Sequence, residues 1–199
     1  GNSLENTNLL IVGPGTGLGV CTLTSLNSLV FPIEGEGGNT NFSPQNKLEI
    51  ELLKFLLKDK EYISFEDVVS GRGLKNIYKF LKFNNKQTIK NSILPDQIGA
   101  LALKNDIVAI ESVKFMFSIL GTMISNIILI NRCQKGVIIS GGMIKKLYTF
   151  LYQSDFLKNF SNKGYYKNYV EKVPIFFSDD DNVALKGAAE CFKNKYFTK

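Results

Sequence analysis

The hydrophobic pattern of this chain changes period near residue 47. Before that point, short apolar runs alternate with glycine-rich breaks: Leu9-Leu10-Ile11-Val12, a loosely alternating stretch over 20–26, and a third run over 29–33. Such runs bounded by turn formers read as strands, and their close succession predicts an antiparallel meander. From Lys47 the spacing becomes helical, with Leu48, Leu52, Leu53, Phe55 and Leu56 expected on one face. Ser64-Phe65-Glu66-Asp67 is a start signal for another helix, which Ser70-Gly71-Arg72-Gly73 interrupts before a helix over 74–83. Pro95 opens a short helix to about residue 104, and Asn105 or Asp106 caps a long apolar one reaching about residue 132. A buried strand over 136–140, a helix over 143–152 and a strand over 173–177 follow. A closing helix then carries Ala184, Leu185, Ala188, Ala189 and Phe192 as an apolar stripe.

This order predicts an α/β domain: three meandering strands plus two further strands in a mixed sheet flanked by helices, a ribonuclease H-like layer fold. At 199 residues, the length suits one such domain. The segment 115–130 is interrupted by Ser118, Thr122, Ser125 and Asn126 and is short for a membrane span of about 20 residues, so it reads as a buried helix. No targeting segment is evident, and a cytoplasmic location is expected. The chain opens at Gly1 rather than Met, which leaves open how much protein precedes it.

Composition narrows the chemistry. There is no histidine, which excludes Ser-His and Cys-His nucleophile systems and His-ligated metals. Carboxylates, amides, hydroxyls, backbone groups and bound ions remain. Cys21, Cys133 and Cys191 lie far apart without CxxC spacing, as suits a reducing compartment. The net charge of +6 arises from 24 basic residues, of which only Arg72 and Arg132 are arginines. Scattered lysines make a poor nucleic-acid surface, and no nucleic-acid partner is expected.

Gly13, Gly15, Gly17 and Gly19 occupy every second position between two strand-like runs. A dinucleotide-binding loop would have to open a helix. A hairpin here can instead form a nest of N–H groups around phosphate oxygens, with Thr16 adding a hydroxyl, or can be a plain tight turn. Ser140-Gly141-Gly142-Met143 joins a strand to a helix, and either admits a ligand to the backbone or is a cramped turn. Glu36, Asn39 and Glu66 are groups suited to reading hydroxyl-rich ligands, although Glu66 equally suits the first turn of a helix. Asp67 is expected to form a capping box with Ser64. The run Asp179-Asp180-Asp181-Asn182 reads more simply as a helix cap than as a metal site.

Taken together, Gly13-Pro-Gly-Thr-Gly-Leu-Gly-Val20, Glu34-Gly-Glu-Gly-Gly-Asn39, Ser64-Phe-Glu-Asp-Val-Val-Ser-Gly-Arg-Gly-Leu74, Gly136-Val-Ile-Ile-Ser-Gly-Gly-Met143 and Gly187-Ala188-Ala189 resemble the large domain of bacterial-type glucokinases. The resemblance runs over essentially the whole chain, in order. It implies an actin-like ATPase fold and transfer of the ATP γ-phosphoryl group to the 6-hydroxyl of glucose or a related hexose, with Mg²⁺. In that scheme Glu36, Asn39 and Glu66 contact the sugar. Gly15, Thr16 and Gly17 face the ATP phosphates, and Gly141, Gly142 and Met143 pass under the adenosine. No metal-ligating side chain is expected, and the family's tendency to dimerise makes a homodimer an expectation.

Two departures accompany the resemblance. Asn39 stands where the family normally has His. The family's smaller N-terminal lobe, with its Asp-x-Gly-x-Thr loop and its base Asp, has no counterpart in residues 1–199, which therefore read as the large lobe alone. No catalytic residue is expected in this chain, and the isolated chain is expected to be inactive. The alternative is a non-catalytic regulator of the same descent that binds sugar or nucleotide.

Overall fold

The computed structural model describes residues 1–26, 29–88, 92–180 and 182–196. Strands β1 (Leu9–Pro14), β2 (Leu18–Leu26) and β3 (Leu29–Ile33) form the expected antiparallel meander. Strands β4 (Gly136–Ile139) and β5 (Ile175–Phe177) extend it in parallel from β1, giving the order β3-β2-β1-β4-β5. Parallel neighbours require crossovers, which the helices supply.

Helices α1 (Lys47–Leu56), α2 (Gly71–Asn84), α3 (Pro95–Leu103) and α4 (Ile107–Asn131) intervene between β3 and β4. Then come α5 (Gly142–Tyr152), α6 (Phe156–Ser161) and α7 (Lys167–Glu171), and α8 (Val183–Tyr196) follows β5. Helix α4 is the hub of the core. Asp106 caps it by accepting from Ala109 N at 2.8 Å, and Met116, Phe117, Ile119, Leu120 and Ile124 are fully buried along it. By length and apolarity α4 could cross a membrane, but 72% of its most apolar window is buried within the fold. Gly121 lets α6 approach, because a Cβ there would stand 2.4 Å from Phe156 O.

Two expectations need correction. Residues 64–70 form a turn rather than a helix, and the glycines at 71 and 73 lie inside α2 rather than breaking it. The reciprocal Ser64–Asp67 bonds exist, but they brace that turn: Ser64 N donates to Asp67 Oδ2 at 3.1 Å and Asp67 N to Ser64 Oγ at 3.2 Å. The true cap of α2 is Ser70, whose Oγ accepts from Gly73 N at 3.0 Å.

On α1 the expected apolar face is rotated, with Leu48 exposed and Glu49 buried. The Glu49 carboxylate accepts from Gln45 N at 2.7 Å and Asn46 Nδ2 at 2.8 Å. Its burial pushes its pKa up despite these bonds. Helix α8 forms where the pattern places it, and its stripe lies at the surface: Leu185, Ala188, Ala189 and Phe192 are exposed. Nothing is stated for the Ala184 side chain or for Asp181, which fall outside the described residues. Asp180 does support the start of α8, accepting from Asn182 N at 2.9 Å and Lys186 Nζ at 2.6 Å.

Candidate active site

The glycine-rich segment is a hairpin. Pro14 pairs with Leu18 across a three-residue tip, Gly15-Thr16-Gly17, and Gly15 N donates to Gly17 O at 2.8 Å. Two regions meet on this tip.

On one side lies a cavity of about 760 Å³, lined by Gly15 and Thr16, the first turns of α2, α3 and α5, and the facing sides of α3 and α5. Arg72, Lys75 and Lys146 bring positive charge to it, while Leu74, Pro95, Leu103, Met143 and Leu147 supply an apolar wall. Gly142 lines the cavity at the N-terminus of α5, where unpaired backbone N–H groups favour an anion. Gly141 adopts φ 127°, and a side chain there would meet Pro14 O at 2.7 Å, so glycine is what lets the β4–α5 turn close against the hairpin. A slot with an apolar wall, cations and a helix N-terminus suits a nucleotide, with base against the wall and phosphates toward the hairpin.

On the other side lies Glu66. Its Oε2 accepts from Leu18 N at 2.9 Å, and its Oε1 accepts from Arg72 Nη2 at 2.8 Å. A Cβ at Gly17 would stand 2.7 Å from Glu66 Oε2, so this glycine makes room for the carboxylate. Glu66 N in turn donates to Gly38 O at 2.8 Å, which draws in the short 3₁₀ turn Gly37–Asn39. Gly38 is buried, and a Cβ there would overlap Leu18 O at 2.2 Å. Tyr62 donates its hydroxyl hydrogen to Asn39 O.

Asn39 opens onto a second, shallower cavity of about 440 Å³ shared with Lys60, Tyr62, Ser64, Asp67 and Arg72. There Asp67 is almost wholly buried. Burial would raise its pKa, but Lys60 Nζ at 2.6 Å and the two bonds from Ser64 outweigh it and hold the pKa below the ordinary carboxylate value.

Of the expected nucleotide residues, Gly15, Thr16, Gly142 and Met143 line the large cavity. Gly17 instead faces Glu66. Of the expected sugar residues, Asn39 and Glu66 are drawn together through Gly38, while the exposed Glu36 caps the same 3₁₀ turn, its carbonyl accepting from Asn39 N at 2.9 Å. Lys75, Asp96 and Lys146 were not expected in the cavity, and Arg72 stood in a quoted motif without a role. Helix spacing carries no sign of which solvent-facing lysines turn toward a cleft.

A mixed five-stranded sheet of order β3-β2-β1-β4-β5, with a glycine hairpin next to a strand–glycine–helix turn, has the architecture of the actin-like ATPase fold class. Solved structures of the same shape agree. A glucokinase from an Antarctic psychrotroph superposes with a TM-score of 0.89 at 31% identity, covering 98% of this chain and 60% of that one. A ROK family glucokinase from Streptomyces griseus, in complex with glucose and AMPPNP, shares the fold at a TM-score of 0.63 and 16% identity, covering 94% of this chain and 61% of that one. The glucokinase family model matches residues 1–195, and the chain belongs to the glucokinase family. Among curated relatives, the glucokinase of Saccharophagus degradans is 34% identical over 183 residues, covering 92% of this chain and 57% of its own length. That of Hahella chejuensis is 32% identical over 197 residues, covering 98% of this chain and 61% of its own length. The chain thus spans little more than half the length of these relatives.

Proposed function

We propose that this chain is the large lobe of an ATP-dependent hexose kinase that phosphorylates the 6-hydroxyl of glucose or a close relative. The observation that carries this reading is the double role of the hairpin: one end lines the cationic cavity, and the other, through Leu18 N, holds the carboxylate of Glu66. Glucose is the ligand named for the Streptomyces griseus structure and for a glucokinase from Balamuthia mandrillaris, whose fold this chain shares at a TM-score of 0.82 and 24% identity.

In this reading Glu66, Glu36 and Asn39 accept or share hydrogen bonds with sugar hydroxyls. Gly15, Thr16 and the α5 N-terminus face the phosphates, and Met143 flanks the adenosine. Catalysis then consists mainly of positioning and charge stabilisation. In this reading Mg²⁺ would accompany the nucleotide as part of the substrate and offset the charge of its phosphates. The catalytic base and a first phosphate loop come from a smaller lobe outside residues 1–199. Asn39 replaces an imidazole with a shorter, neutral amide, and this bears on which hexose is preferred.

The test is calorimetric titration of glucose into the protein expressed with the sequence encoded upstream of Gly1, beside its Glu66→Gln variant. Glucose binding weakened by about a hundredfold, at an unchanged unfolding temperature, is the expected result. Equal glucose affinity in the two proteins would refute it.

A further inference from the structure

Arg72 lines both cavities, the large cationic one and the shallower one beside Asn39. Its Nη2 donates to Glu66 Oε1 at 2.8 Å, and its Nε lies 3.3 Å from Asp67 Oδ1. The side chain emerges from the first turn of α2, directly after Gly71, whose N–H donates to Gly15 O at 2.8 Å. The base of Arg72 is therefore tied to the glycine hairpin, and its tip to the carboxylate that the same hairpin holds from the other side.

Glu66 needs that second tie. One backbone donor fixes one oxygen, and the carboxylate can still rotate about that bond. A donor on the other oxygen sets the plane of the group. The Arg72 side chain is 54% exposed, so in the free protein this restraint is loose. The guanidinium has further N–H donors beyond those facing the two carboxylates, and they are available to an anion in the large cavity.

We propose that Arg72 is a positioning residue that couples the two halves of the site: nucleotide phosphate in the large cavity immobilises its guanidinium, and this fixes Glu66 for the hexose. The proposal rests on the kinase reading above. Coupling of this kind is reciprocal, so the hexose tightens nucleotide binding by the same factor. Asp67 plays the supporting part. Held in place by Lys60 and Ser64, it faces Arg72 Nε from a buried position while Nη2 reaches Glu66.

The experiment uses the protein expressed with its upstream sequence and measures glucose affinity by calorimetry with and without AMPPNP, in wild type, Arg72→Met and Arg72→Lys. Wild type is expected to bind glucose about fivefold tighter or more when AMPPNP is present. Arg72→Met should lose that factor and bind glucose several-fold more weakly alone, at an unchanged unfolding temperature within about 3 °C. Arg72→Lys should restore part of the affinity through its charge but little of the coupling, since one ammonium cannot hold both carboxylates in the same plane. An Arg72→Met protein that keeps the wild-type coupling factor overturns the proposal, as does a wild type with no coupling. A wild type that binds AMPPNP but no hexose overturns the kinase reading itself, and the coupling with it.

Discussion

Replacing Gly17 with alanine separates the two sides of the hairpin. The new methyl carbon would stand 2.7 Å from Glu66 Oε2 and 3.3 Å from its carboxyl carbon, whereas ordinary contact begins at 3.4 Å. The oxygen must therefore withdraw by about 0.7 Å, which lengthens its 2.9 Å bond to Leu18 N to at most about 3.6 Å and so weakens or breaks it. A hydrogen bond to a charged group contributes about 1.5–3 kcal/mol. If that restraint serves hexose binding, its loss raises the hexose KM by roughly 10- to 100-fold at 1.4 kcal/mol per decade. Little of the cost should appear as instability, because the Glu66 side chain is 20% exposed and can swing toward water. The assay is ATP-coupled hexose turnover by the protein with its upstream sequence, beside thermal unfolding. A folded Gly17→Ala variant with the wild-type hexose KM would show that Glu66 does not read the hexose.

Two stability predictions follow from the same region. Gly38→Ala places a Cβ 2.2 Å from the backbone oxygen of Leu18, which cannot swing away, so it should destabilise by about 3 kcal/mol or more in urea unfolding, far beyond Gly17→Ala. Asp67 has a folded-state pKa below its unfolded value, so its stabilisation is complete above the ordinary carboxylate pKa and is lost as pH falls through the folded value. Asp67→Asn should cost about 1–3 kcal/mol at pH 7 and flatten the acid limb of the stability curve; an unchanged acid limb contradicts the ion-pair account.

The order of elements was readable because each long element carries its own period. The β1–β3 meander is punctuated by glycines, and α4 is apolar over most of its length. Where polar groups do structural work, the period misleads: Glu49 is buried because it satisfies Gln45 and Asn46 at the head of α1, so the apolar face turns and leaves Leu48 outside. The Ser64–Asp67 box was correctly paired but assigned to a helix, since the same bonds serve a turn. Helices α6 and α7 have 6 and 5 residues, too short to show a period. The α8 stripe is legible in the sequence yet exposed in the fold, because amphipathicity reports an apolar face without saying what covers it. For the candidate site, motif order singled out Gly15, Thr16, Gly142, Asn39 and Glu66, which the fold gathers around the hairpin and its two cavities. The bond that ties Glu66 to the hairpin joins residues 48 apart, which no local pattern encodes, and the reach of Arg72 back to Glu66 depends on residues 64–70 forming a turn where a helix was expected.

The measurement closest to the central claim is hexose-dependent ATP consumption, compared between residues 1–199 alone and the protein expressed with its upstream sequence. The account predicts no glucose-stimulated turnover by the chain alone and clear turnover by the longer protein. Robust turnover by residues 1–199 alone, or none by the longer protein with any hexose, would contradict it.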